Sequence, residues 1–228
     1  MAGRSASSGG RLLEREFFSQ PPDVPVLPET LLCLELNCGG SSIDLVQVSQ
    51  ALLNDMGAAL QIFRLAPRER VATLGRPSRI EDCVSLLGIE TCIDAISEQI
   101  MPRNSSKAAI VDAWGHARAI AEGCAQWAEM NNEMIAPGDA YLVGLFHELG
   151  SLPSLLGWDT TIWGKSDLRT LGFRIANQCS LPRCVVEYFS TPKLAGSPNR
   201  WTPIVEMAHE FETPTLMRRG PEQSSARA

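Results

Sequence analysis

The residues of this 228-residue chain best suited to chemistry are three histidines and the carboxylates next to two of them. His116, His147 and His209 are the only histidines; Glu148 follows His147 and Glu210 follows His209. Imidazole nitrogen and carboxylate oxygen together suit divalent zinc, iron or manganese, and helical bundles build such centres from side chains on facing helices. His116, His147, Glu148 and His209 are therefore the candidate metal ligands. Their spacing is not His-Glu-x-x-His, and taken alone it better describes three partly buried imidazoles hydrogen-bonded to backbone.

Other chemistries have less to work with. The seven cysteines (33, 38, 83, 92, 124, 179 and 184) contain no Cys-x-x-Cys pair and are odd in number. Most sit among apolar neighbours, where a thiol behaves as a small hydrophobe, so reduced structural cysteines and a cytoplasmic setting are expected. Only Cys184, beside Arg183, has the electropositive company that activates a nucleophile. There is no Gly-x-Ser-x-Gly elbow, no phosphate-binding loop and no Gly-x-Gly-x-x-Gly. Gly39-Gly40 leads into Ser41-Ser42 without a lysine, which reads as a helix cap. The five tryptophans read as packing.

Bulk properties narrow the class. Hydrophobic residues make up 44% and aromatics 6%, a Leu, Ile, Val and Ala composition that suits packed helices. A formal net charge of −6 with scattered basic residues argues against a nucleic-acid footprint. No secretory signal and no run of ~18 apolar residues is present, so no membrane span is expected.

Positioning the histidines falls to a series of helices. Residues 1–22 read as a disordered lead-in, within which Leu12, Leu13, Phe17 and Phe18 have helical spacing. Helices are expected over Glu29–Leu36, from a Ser41-Ser42 cap to Asn54, over Asp55–Ala66, and from a Ser78 cap to Leu87. Gly88 separates the last of these from a helix over Ile89–Met101. Pro67–Pro77 reads as a basic loop and Pro102–Ser106 as a linker between two lobes, 23–102 and 107–212. A long helix over Lys107–Met130 carries His116. The apolar segment from Pro137 to Gly150 carries His147 and Glu148. Helices over 167–176, Arg183–Phe189 and Thr202–Phe211 follow, the last with His209, and 213–228 reads as a disordered tail. The fold class is all-α, a two-lobed helical bundle.

The order of these pieces resembles the HDOD domain, the output-domain relative of the HD metal-dependent phosphohydrolases, over about residues 24–212. Pro25-Val-Leu-Pro28 is similar to the segment before that family's first helix. Asn54-Asp55-Met56-Gly57 stands where Asp-Pro is usual, and Ser78–Gly88 resembles its Ile-x-x-Ala-x-x-x-Leu-Gly helix. Trp114-Gly-His116 resembles its Trp-x-His, Ala140–Gly150 its Gly-Leu-Leu-His-Asp-Ile-Gly, Leu181-Pro182 its Leu-Pro, and Ile204–His209 its closing helix. Carried over by position, the hydrolase ligands become His116, His147, Glu148 and His209, a vestigial set in which two aspartates have changed. Phe189-Ser190 replace a histidine pair, and Pro67-Arg-Glu-Arg70 replace Asn-Ser-Ala.

The resemblance implies a non-catalytic module of bacterial signalling, cytoplasmic, with no cofactor. It would act on a protein partner in trans, with self-association as a further option and neither nucleic acid nor membrane as partner. The alternative is a metal-dependent phosphohydrolase of nucleotides or cyclic dinucleotides using zinc, manganese or iron. A third reading is a sensor of a small ligand or metal in the vestigial cleft. His147-Glu148 is expected to hydrogen-bond across to His116.

Overall fold

Helices in this chain start where a short polar side chain satisfies a free N–H or a proline dispenses with one. The computed structural model describes residues 21–38, 44–69, 77–99, 107–131, 134–164, 166–190 and 199–217. The first lobe holds α1 (Pro28–Cys38), α2 (Leu45–Leu53), α3 (Met56–Glu69), α4 (Ile80–Leu87) and α5 (Ile89–Ser97). The second holds α6 (Lys107–Asn131), α7 (Pro137–Phe146), a 3-10 turn (Leu149–Ser151), α8 (Leu152–Leu155), α9 (Thr160–Trp163), α10 (Leu168–Gln178), α11 (Arg183–Phe189) and α12 (Thr202–Met217). No strand occurs among the described residues, and the fold is all-α.

Several caps and limits differ from the sequence reading. The Asp44 side chain, not Ser41-Ser42, caps α2 by accepting from the Val46 N–H at 2.9 Å. Ser41 and Ser42 lie outside the described residues, as do 1–20, the linker 100–106 and 218–228. At α4 the cap position is Arg79 rather than Ser78, with no side-chain cap bond. The first turn there is instead acidic, Glu81 and Asp82, which suits the helix dipole. Helix α3 runs through Pro67 to Glu69, because a proline in a last turn removes only one ladder donor. Gly88 turns the chain from α4 into α5 at φ 81°, a conformation that side chains rarely adopt. The closing helix extends to Met217, into residues read as tail.

Three contacts among the described residues tie the lobes together most clearly. Phe63 of α3 meets Phe146 of α7 edge-on, with centroids 6.3 Å apart, and both rings are fully buried. The Tyr141 hydroxyl donates to the Leu53 carbonyl at 3.1 Å. The third is centred on Asp55, which is 0% exposed. Its carboxylate accepts from the N–H groups of Leu27 (2.7 Å), Gly57 (2.8 Å) and Ala58 (3.1 Å), the Thr30 hydroxyl (2.8 Å) and the Trp114 indole (2.9 Å). One side chain thereby caps α3, anchors the segment before α1 and holds the tryptophan of α6. Burial pushes its carboxyl above the ordinary range, against the opposing pull of those hydrogen bonds.

Asp55→Ala removes the acceptor and strands these donors in the core, so a loss of at least ~3 kcal/mol in urea denaturation is expected. Asp55→Asn, which keeps one acceptor oxygen, is expected to lose less.

Candidate functional site

The site is built where α6, α7 and α12 meet. Gly144 lets α7 approach α6 closely: a Cβ at that position would sit 2.6 Å from the Ala121 Cα and 2.8 Å from the Ile120 carbonyl oxygen. On another face of α6, a Cβ at Gly123 would come within 3.2 Å of the Ala208 Cβ on α12. The Cys124 thiol reaches the Ile204 carbonyl at 3.9 Å, while His116 faces His209, so α12 runs antiparallel to α6. These small-residue contacts bring one histidine from each of three helices together.

His116, His147 and His209 form a near-equilateral triangle with ring centroids 5.2, 5.1 and 4.9 Å apart. One ring nitrogen from each lies within 4.8 Å of the others. His147 is buried, and the other two are half-buried. Its Nδ1 lies 2.7 Å from the Gly144 carbonyl oxygen, so Nδ1 carries the proton and donates it. Its Nε2 is buried with no hydrogen-bond partner. The expected bond from His147 to His116 is therefore replaced by one within its own helix.

Glu148 does not join the triangle. Helix α7 ends at Phe146 rather than continuing to Gly150; His147 is its cap, and Glu148 leaves helical geometry at φ −101°, ψ 18°. The turn is needed because Gly150 abuts the start of α10, where a Cβ would lie 1.9 Å from the Leu168 carbonyl oxygen. Two neighbours on a helix end thus diverge. Glu148 lines a cavity of about 300 Å³ with His147, Ser151, Arg169, Tyr188 and Phe189.

Sequence reasoning missed Arg169 as a nearby cation, since nothing in its local pattern marks it. Its guanidinium is committed to structure. It donates to the carbonyls of Tyr188 (2.8 Å), Phe189 (3.2 Å) and Ser190 (3.1 Å), closing the carbonyl end of α11. Asp167 caps α10, its side chain accepting from the Thr170 N–H at 3.0 Å. Cys184 is buried and its thiol pushed up to about 12, as is that of Cys124, so neither is a thiolate nucleophile at neutral pH.

The donor set fits a metal. A ligating histidine ordinarily donates its second ring N–H to a carbonyl or carboxylate and turns the other nitrogen to the ion. His147 has that arrangement, with an orphaned Nε2.

An all-α, two-lobed domain with a histidine cluster at the meeting of three helices belongs among the HD-like helical domains. Residues 24–159 match the HDOD domain, and the chain belongs to that family, which is generally regarded as a non-catalytic relative of the HD hydrolases. The matched span contains His116, His147 and Glu148 but not His209, and is shorter than the resemblance read from the sequence. Similar solved structures include two of the MmoQ response regulator from Methylococcus capsulatus str. Bath. One is 15% identical with a TM-score of 0.63 over 87% of each chain. The other is 14% identical with a TM-score of 0.64 over 90% of this chain and 91% of that one. A virulence factor from Campylobacter jejuni subsp. jejuni is 14% identical, with a TM-score of 0.53 over 90% of this chain and 79% of that one. At such identities the likeness shows the fold. No curated protein matches the sequence. No helix among the described residues is long and apolar enough to cross a membrane.

Burial pushes the His147 pKa down from 6.5 to about 3, with the neighbouring His209 and His116 adding to the fall. The folded value lies below the unfolded one, so the stability tied to a neutral ring is complete above about pH 6.5 and lost as pH falls toward 3. In chelator-treated protein, urea titrations are expected to show this residue's share as about 2–3 kcal/mol lost between pH 7.5 and roughly 4.5. His147→Gln should flatten that acid slope whatever its stability at neutral pH.

Proposed function

We propose that the chain is a non-catalytic regulatory module of bacterial signal transduction that works by binding a protein partner in trans. The observation that carries this reading is the divergence of Glu148 from the histidine cluster. Hydrolases of the HD type hold their metal through a His-Asp pair, and here the converging ring nitrogens are not joined by the neighbouring carboxylate, which lines a cavity at the edge of the cluster beside His147. Arg169, a cation lining that cavity, is already engaged with three backbone carbonyls rather than offered to a phosphate.

Apolar surface on the first lobe suits partner binding. Leu32 and Leu36 lie one turn apart on α1, and with Val46 of α2 they are more than half exposed (57%, 73% and 58%). Binding a partner there would act on the rest of the domain through α2 and α3, by favouring one packing of the helices over another. The name of the MmoQ relatives, response regulators, agrees with a signalling role. Self-association through the same face is the other way to cover it.

The test is a pair of assays on one preparation. With added manganese, hydrolysis of bis(p-nitrophenyl) phosphate and of cyclic dinucleotides is expected to stay at the buffer rate; turnover that His147→Ala abolishes would make the protein a hydrolase instead. In cells, the Leu32→Asp/Leu36→Asp protein is expected to lose a partner that the wild type retains, with an unchanged melting temperature. Retention of every partner by the variant would remove this face from the reading.

A further inference from the structure

We propose that His116, His147 and His209 form a three-imidazole site for a borderline divalent ion of the zinc class, and that the bound ion fastens α12 to α6 and α7. The geometry is quantitative. Imidazoles held tetrahedrally at ~2.1 Å from one ion have ring centroids about 5.2 Å apart. The three separations here are 5.2, 5.1 and 4.9 Å. Packed rings also meet at ~4.5–7 Å, so the spacing carries weight together with the one nitrogen of each ring that lies within 4.8 Å of the other two.

The second observation is independent of the spacing. With Nδ1 of His147 fixed as the donor to the Gly144 carbonyl, Nε2 presents a lone pair in a buried position with nothing to accept it. A buried polar atom left in that state calls for an unseen water or ion. A cation beside two further imidazole nitrogens supplies what is missing, and the half-buried His116 and His209 leave it a way in.

Ligand chemistry selects the ion. Magnesium and calcium demand several carboxylate or carbonyl oxygens, and the converging group contains none. Neutral imidazole suits zinc, cobalt or nickel, and three protein ligands leave a tetrahedral ion one position short of closed. The site ties His209, on the last helix, to His116 and His147 on the two helices that pack most closely. Its occupancy therefore sets how firmly α12 is held. Neither part of the proposal depends on a protein partner, so it stands or falls separately from the signalling reading.

The experiment uses the full chain, purified without a histidine tag, stripped with chelator and titrated with zinc and with cobalt. One ion per chain is expected, with tetrahedral cobalt bands, no thiolate charge-transfer band and a melting temperature raised by about 5 °C or more. His209→Ala and His116→Ala are each expected to weaken zinc binding about a hundredfold or more, while Cys33→Ser, at an exposed cysteine, leaves it unchanged. In unmutated protein, the imidazole nitrogen resonances of all three histidines should shift together at one equivalent. Absence of saturable binding below about 100 µM, binding that survives both variants, or three resonances that do not move would overturn the site. Binding without a rise in melting temperature would overturn the fastening of α12.

Discussion

A single buried carboxylate holds the two lobes in register. Asp55 sits between α2 and α3 with no exposed surface, and the donors it gathers come from four places: the segment before α1, α1 itself, the first turn of α3, and the indole of α6. A charge in such a place is tolerable only when nearly every lone pair is used. The requirement runs both ways. The donors need an acceptor they cannot find elsewhere in an apolar core, so the relative placement of α1, α3 and α6 is fixed by one group. Trp114 is two residues before His116, and the bond that seats the indole also fixes that stretch of α6 along its axis. The site in the second lobe thus depends on an acid in the first.

From α6 outward, the histidine cluster follows from how closely helices can pack. Interiors tolerate neither overlap nor gaps, and a methyl group at Gly144 would overlap the α6 backbone, which has no flexible end to move aside. The close crossing carries His147 to within ring contact of His116, and the Gly123–Ala208 crossing does the same for His209. Phe146, fully buried next to His147, adds roughly 2–3 kcal/mol of apolar burial that keeps the end of α7 in place. Close apolar packing thus brings the polar cluster together. Its only described polar anchor on α7 is the bond from His147 to the carbonyl one turn back.

Much of this was legible in the sequence. The all-α class, the long helix carrying His116, the Pro137 start of α7 and the Gly88 break are all local signals; the histidine-bearing helices start where the sequence puts them, but α7 stops short of Gly150 and α12 runs on to Met217. The convergence of the three rings was a reading of types and of a family pattern, and the structure brings the three together. What was not legible depended on contacts distant in sequence. Asp55 looked like the first residue of a helix, and nothing near it announces a bond to Trp114, 59 residues away. Glu148 looked like a ligand because it adjoins His147. It is turned away because α7 stops early against Leu168, a neighbour that only the fold supplies. Arg169 reads as an ordinary surface arginine until α11 is placed beside it.

The replacement of carboxylates by imidazoles alters what the cluster requires of the fold. Acidic groups crowded around one point repel one another, and without a cation they must protonate or move apart. A neutral imidazole carries no such repulsion. His147 in particular stays uncharged at any physiological pH, and the only unmet demand is one nitrogen lone pair. The second lobe can therefore fold on its apolar contacts alone, with the histidines preassembled rather than held apart. An ion bound by such a set adds to a structure that already exists.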